Sequence, residues 1–192
     1  MNPEILTRAG ADLADEVGFD RVTVSELARR FEVPVANLYS HVKNSADLKA
    51  RITLLALEEL ADRIEVALAG RAGRDALVAV GDVYRSYARE HPGRWSAAQR
   101  DLAPAAAAES AGPRITRMTR AILRGYELEE PDQTHAVRLL GSVFNGYVNL
   151  EAAGAYAHSS PSPDASWTWI LGMLDSSLRA WSPQPQEERT SD

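Results

Sequence analysis

Apolar residues recur along this chain at helical spacing. Ile5, Leu6, Ala9, Leu13 and Val17 make one stripe over residues 3–17, the pattern of an amphipathic helix. Pro3 suits its first turn, Glu4 complements the positive end of its dipole, and Gly18 supplies a left-handed stop. Thr23 followed three residues later by Glu26 is a capping-box start, and Leu27, Ala28 and Phe31 give the helix behind it an inner face. Glu32-Val33-Pro34 interrupts that helix, because Pro34 has no amide donor and biases Val33 away from helical angles. Residues 35–42 make a further turn or two with Leu38 and Val42 inward, leaving Asn37, Ser40, His41 and the Tyr39 hydroxyl outward. A helix this short is marginal alone, so a scaffold must hold it in place. Two short helices about a tight corner form a helix-turn-helix, whose second helix lies in the major groove of DNA.

Longer helices follow. Asn44 and Asp47 cap a helix over 45–69, with Leu48, Ile52, Leu55, Leu60, Ile64, Val66 and Leu68 apolar and Glu58, Glu59, Asp62 and Glu65 on its wetter sides. After a break at 70–73, residues 75–90 turn Leu77, Val80, Val83, Tyr84, Tyr87 and Ala88 inward and stop at His91-Pro92-Gly93; a short helix begins at Arg94. The alanine-rich stretch 102–112 favours helix but offers little to bury, which predicts a mobile or poorly packed connection. Arg114, Arg117, Arg120 and Arg124 recur every three or four residues along a helix over 115–126. Such a row reads as a solvated face; pointing inward, it would favour an anionic effector. Residues 133–153 and 165–181 carry apolar bands too wide to bury within one protomer, and pairing with a copy would complete a four-helix bundle. Loop 157–164 and the tail 182–192 read as solvated and disordered.

The stretch VTVSELARRFEVPVANLYSHVKNSADL resembles the DNA-binding signature of the TetR family of bacterial transcriptional regulators. Its Leu-Tyr-x-His-x-x-Asn core is here Leu38, Tyr39, His41 and Asn44. The likeness covers roughly residues 3–50, including the Gly18-Phe19 corner, Thr23 and Leu27-Ala28. YRSYAREHPGRW is similar to the start of the family's C-terminal domain, where two helices meet at a His-Pro turn. LLGSVFNGYVNLEAAGAY is similar to a late helix that carries a His-Gly pair, here Asn145-Gly146. Two further departures stand out. Glu32 occupies the corner where the family has Gly, implying strain of about 1 kcal/mol if φ is positive. Ser45 replaces a common Lys, which removes a phosphate anchor.

The resemblance implies an all-α protein, with a three-helix helix-turn-helix domain over 1–47 and a helical effector-binding and dimerisation domain over 48–181. Val35, Ala36, Asn37, Tyr39, Ser40 and His41 would approach bases and phosphates, while Thr23, Ser25 and Lys43 would anchor the DNA backbone. Arg8 on the first helix is a further phosphate contact the family suggests. The rod over 45–69 would transmit an effector signal to the reading heads. An apolar pocket lined by some of Leu55, Tyr84, Tyr87, Trp95, Met118, Phe144 and Asn145 would take a small effector. The expected protein is a ligand-responsive repressor that binds a palindromic operator on double-stranded DNA as a homodimer through 133–153 and 165–181. An activator without effector, and a protein-interaction module that keeps the fold, are the competing readings.

Composition adds exclusions. At 192 residues, 45% hydrophobic and 25% charged, the chain falls in the ordinary globular range. It has no cysteine, which rules out disulfides, thiolate catalysis and Cys-ligated zinc. No phosphate loop, HExxH or GxSxG occurs, and the four histidines are scattered; no enzyme, cofactor or metal site is expected. The start lacks a secretory signal and no apolar run reaches membrane-spanning length, so a cytoplasmic protein is expected. The charge is −6, and residues 1–51 hold seven Lys/Arg against eight Asp/Glu. A DNA-binding face must therefore come from how Arg8, Arg29, Arg30, Lys43 and Lys49 are arranged, since the sum is not basic.

Overall fold

A computed structural model describes residues 2–181; the tail expected to be disordered over 182–192 lies outside them. Among the described residues ten α-helices run in order: α1 Pro3–Val17, α2 Val24–Arg30, α3 Val35–Leu38, α4 Ser45–Leu68, α5 Gly73–Glu90, α6 Pro92–Ala98, α7 Pro104–Glu109, α8 Gly112–Leu123, α9 Asp132–Ala152 and α10 Pro163–Arg179. Short 3-10 turns follow α1 and α8. Among the described residues there is no strand, and the protein is all-α.

The helices bury two apolar clusters. The first, in the head, gathers Leu6, Leu13, Phe19, Val22, Val24, Leu27, Leu38, Val42, Leu48, Ile52 and Ala56. The second fills the body between α5, α8, α9 and α10, and takes Leu60 and Ile64 from the far end of α4. Helix α4, about 36 Å long at 1.5 Å per residue, therefore belongs to both. The head's core reaches Ala56, past the boundary expected at 47, and no linker separates the two units. Ala97 and Ala98 of α6 also pack against the head.

Three expectations need correction. Ile5 lies outside the inner stripe and is 49% exposed; Gly10, Ala11 and Ala14 join Leu6 and Leu13 on the inner face of α1, and Gly10 lets its neighbours approach closely. Ile52 Cδ1 would stand 2.9 Å from a Cβ on Gly10. Val66 is 76% exposed on the outer side of α4, while Leu68, two residues on, packs against the body core. Leu55 packs against the head cluster, well short of the body cavity described below. The stretch 102–112 fits its expectation: it holds a helix, α7, which buries no residue of its own, as its alanines predict.

The arginine row of α8 faces outward. Arg114 reaches Asp62 at 2.5 Å, Glu58 at 3.2 Å and Glu65 at 3.7 Å on α4. Arg120 pairs with Glu130 and sits 3.1 Å from Thr134 Oγ1, while Arg117 and Arg124 are exposed.

Candidate nucleic-acid interface and body cavity

The corner between α2 and α3 is built by local chemistry. The Thr23 hydroxyl accepts the Glu26 N–H at 3.1 Å and starts α2. At its other end Glu32 adopts φ 54°, in the left-handed region. The Glu32 and Val33 N–H groups then close on Arg29 O and Ala28 O, each at 3.1 Å. A glutamate thus does what glycine ordinarily does at this stop. Helix α3 is shorter than the expected 35–42. Beyond Leu38 the chain continues as a hydrogen-bonded turn, with the His41 and Val42 N–H groups both donating to Leu38 O at 2.9 and 3.0 Å. The Ser40 hydroxyl donates to Asn37 O at 2.9 Å.

Leu38 and Val42 are buried and pin this segment to the head. Ala36, Asn37, Tyr39, Ser40 and Lys43 are exposed on its outer side, with Val35 and His41 half-buried; Thr23 and Ser25 are exposed at the start of α2. Tyr39 stands out at 54% exposure, a large ring in solvent on an otherwise well-packed head.

Ser45 proves to be a structural residue. Its Oγ accepts the Val24 N–H at 3.1 Å and fastens the first turn of α4 to the first turn of α2. Beside it Asn44 Oδ1 caps the Asp47 N–H at 2.9 Å, and Asp47 Oδ2 accepts the Lys43 N–H at 3.0 Å. The first turn of α4 thus holds the end of the α3 segment in place. Most head cations are paired: Arg8 with Glu4, Arg29 with Glu26, Arg30 with Glu16 and Arg51 with Asp47. The Arg30 hydrogen bonds hold the Glu16 carboxyl below its ordinary value. Exposed pairs of this kind contribute little.

In the body a cavity of about 90 Å³ lies between α5, α8 and α9, lined by Val80, Tyr84, Ile115, Thr116, Thr119, Val137, Leu140, Gly141 and Phe144. Of the expected effector residues, Tyr84 and Phe144 line it. The Tyr84 ring meets Trp95 edge-on at 5.9 Å, which puts Trp95 one layer behind the wall. The Asn145 amide donates to Gly141 O at 2.7 Å, also behind the wall. Met118 packs against the body core without lining the cavity. Tyr87 is fully buried elsewhere, its hydroxyl donating to Ala56 O at 3.2 Å and Glu59 at 3.1 Å; this burial and the Glu59 charge push its phenol well up.

One cluster joins the two regions, and periodicity gave no sign of it. Trp95 of α6 donates its indole N–H to Asn149 Oδ1 at 2.7 Å. One residue earlier on α6, the Arg94 N–H donates to Asp15 Oδ1 of α1 at 2.8 Å. His91 Nδ1 lies 3.0 Å from Asp15 Oδ2, and its Nε2 lies 3.0 Å from an Arg63 guanidinium nitrogen. An Arg94 guanidinium nitrogen also lies 3.3 Å from His91 Nδ1, so the ring sits among Asp15, Arg63 and Arg94. The HPG signal at 91–93 was visible, but its partner on α1 was not.

A helix-turn-helix head with an exposed reading segment, fastened to a helical body with an internal cavity, defines a DNA-binding transcriptional regulator. The chain belongs to the TetR family: the tetracyclin repressor-like C-terminal domain model matches residues 77–174, just over half of the chain. The HTH-type transcriptional regulator Rv0681 of Mycobacterium tuberculosis is 29% identical over 160 residues, covering 80% of this chain and 72% of that protein. Among solved structures, a protein from Rhodococcus sp. RHA1 superposes with a TM-score of 0.77 at 18% identity, over 92% of this chain and 95% of that one. A TetR variant from Acinetobacter baumannii AYE in complex with minocycline gives 0.70 at 20% identity, over 95% and 99%. No helix among the described residues is long and apolar enough to cross a membrane.

Proposed function

We propose that the protein is a ligand-responsive repressor that acts in the cytoplasm and binds a near-palindromic operator as a homodimer. The observation that carries this reading is the α3 segment: Leu38 and Val42 anchor it while Asn37, Tyr39 and Ser40 face solvent. Val35, Ala36 and Asn37 would meet base edges at the start of the helix, with Asn37 suited to adenine. Tyr39, Ser40 and His41 would follow, and Thr23, Ser25 and Lys43 would hold phosphates. Two heads set at a fixed separation would enter successive major grooves.

The outer face of α9 and α10 supports pairing with a second copy. Leu150, Trp169 and Met173 are exposed there, at 51%, 67% and 45%. A Cβ on Gly146 or Gly172 would meet nothing within 4 Å of its own chain. This patch is apolar and lined with small residues, the composition of a helix-packing surface. The cavity would take the effector, which must bind the conformation with the wrong head spacing more tightly, since only differential affinity moves the equilibrium.

A gel shift with the DNA flanking its own gene, titrated with salt, tests the reading. Steep loss of binding with salt on one palindrome supports it. The Tyr39→Ala variant should bind that palindrome more weakly by ~1–3 kcal/mol while melting like wild type; equal affinity of the two proteins refutes the assignment of α3.

A further inference from the structure

The cavity's walls are chemically uneven, and that unevenness specifies a class of ligand. Of the tyrosines in the body, Tyr87 donates to Ala56 O, Tyr126 to Asp175 at 2.7 Å and Tyr147 to Pro163 O at 2.6 Å. Tyr84 differs. Burial alone pushes its phenol up to about 12, with no neighbouring acceptor or charge contributing. Tyr84 is half-buried and lines the cavity, where its hydroxyl is free to meet water or a ligand. The other two hydroxyls in the wall are committed to their own helix, Thr116 donating to Gly112 O at 3.1 Å and Thr119 to Ile115 O at 3.0 Å.

No Lys, Arg, His, Asp or Glu lines the space. Arg114 is held by Glu58, Asp62 and Glu65 and Arg120 by Glu130, while Arg117 and Arg138, beside Thr116 and Val137 in the chain, are exposed and do not line the space. An ionised ligand would lose its hydration there and gain no counter-charge. At about 90 Å³ the cavity is about three-fifths of the ~150 Å³ void that takes up benzene, so a single ring enters only as the walls move outward, and anything larger is excluded.

Resting on the reading of this cavity as the effector site, we propose that it selects a compact, uncharged, mostly apolar ligand bearing one hydrogen-bond-accepting oxygen, the class of small phenols and alcohols, with the Tyr84 hydroxyl as donor. The Phe144 ring, 5.5 Å from that of Tyr84, forms an aromatic wall beside it. Gly141, where an added Cβ meets nothing within 4 Å, leaves the α9 side open.

Calorimetric titration of the full-length protein without DNA, using phenol, benzene and benzoate as probes, tests this. Phenol should bind saturably and more tightly than benzene, and benzoate should not bind. Tyr84→Phe should reduce phenol's advantage over benzene by about five- to tenfold, the loss of one hydrogen bond. Gly141→Leu, which fills the space, should abolish binding of both while circular dichroism stays helical; this second variant keeps the test decisive if Tyr84→Phe is unstable. Benzoate binding more tightly than phenol, no saturable phenol binding up to millimolar concentration, or an unchanged phenol preference in Tyr84→Phe each overturns the proposal. The gel shift is scored separately. Phenol binding through Tyr84 in a protein that shifts no DNA sinks the regulator reading and supports the ligand assignment; DNA binding with a benzoate preference does the reverse.

Discussion

Gly93 of α6 lies flat against the backbone of Ala14 in α1: a Cβ at Gly93 would overlap the Ala14 carbonyl and crowd the Asp15 amide. Backbone cannot yield as a flexible side chain does, so the two helices meet at their closest possible approach. Gly93→Ala should force α6 off α1 and cost at least ~1–3 kcal/mol. It should also loosen the head, so that hydrogen exchange in α1 quickens more than in α9. Wild-type exchange in α1 would show that the contact does not couple the two units.

Arg85, only 7% exposed, pairs with Glu151 at 2.5 Å and with Asp164 at 2.7 Å, and lies over the rings of Trp167 and Tyr147. This ties α5, α9 and the start of α10 together. Removing one member of so buried a pair strands the other, and Arg85→Met should cost ~3 kcal/mol in chemical denaturation.

The same pair predicts a pH dependence. Hydrogen bonding to Arg85 holds the Glu151 carboxyl below its ordinary 4.5. A carboxyl depressed in the folded state stabilises fully above its unfolded value, and that contribution fades as pH falls through the folded value. Melting temperature should therefore fall less steeply below about pH 4.5 in Glu151→Gln than in wild type, although the variant starts lower. Parallel curves would argue that the pair does not report on folding.

Ser45→Ala removes the acceptor for the Val24 N–H, a lost helix cap worth ~1 kcal/mol. Ser45→Lys should lose the same stability, even though it adds a positive charge near the proposed DNA face. Urea midpoints of both variants check this; a Lys variant as stable as wild type would show that the hydroxyl is dispensable.

Trp169→Asp on the outer face of α10 should yield single chains in sedimentation at micromolar concentration with helicity retained. Gly146→Ala, which meets nothing in its own chain, gains up to ~1 kcal/mol of helix propensity but thickens the same face. If the face pairs with a copy, that variant dimerises more weakly despite its stabler fold.

Local rules made much of the head readable. Thr23 and Asn44 cap helices, Gly18 and Glu32 turn left-handed, and Leu38 and Val42 are buried as their four-residue spacing requires. Contacts between distant segments were harder to see. Periodicity marks Leu55 as inward but cannot say into which of two cores it points. It also treats Arg85 as solvated, because nothing nearby in sequence announces Glu151 or the two rings beneath it. Ser45 read as a missing charge until Val24, remote in sequence, came within 3.1 Å. In the cavity Tyr84 and Phe144 were legible as aromatic, whereas Thr116, Thr119 and Gly141 look like ordinary helix surface.

Helix α4 gives Leu48, Ile52 and Ala56 to one core and Leu60 and Ile64 to the other. A peptide cut at residue 47 would lose three of its own inward residues, and a partner fragment beginning there would carry those same three uncovered. Neither piece should be expressible by itself in folded form. A chimaera that grafts this reading unit onto a foreign sensor must splice within the shared rod, between Ala56 and Leu60, so that each half keeps the residues it buries.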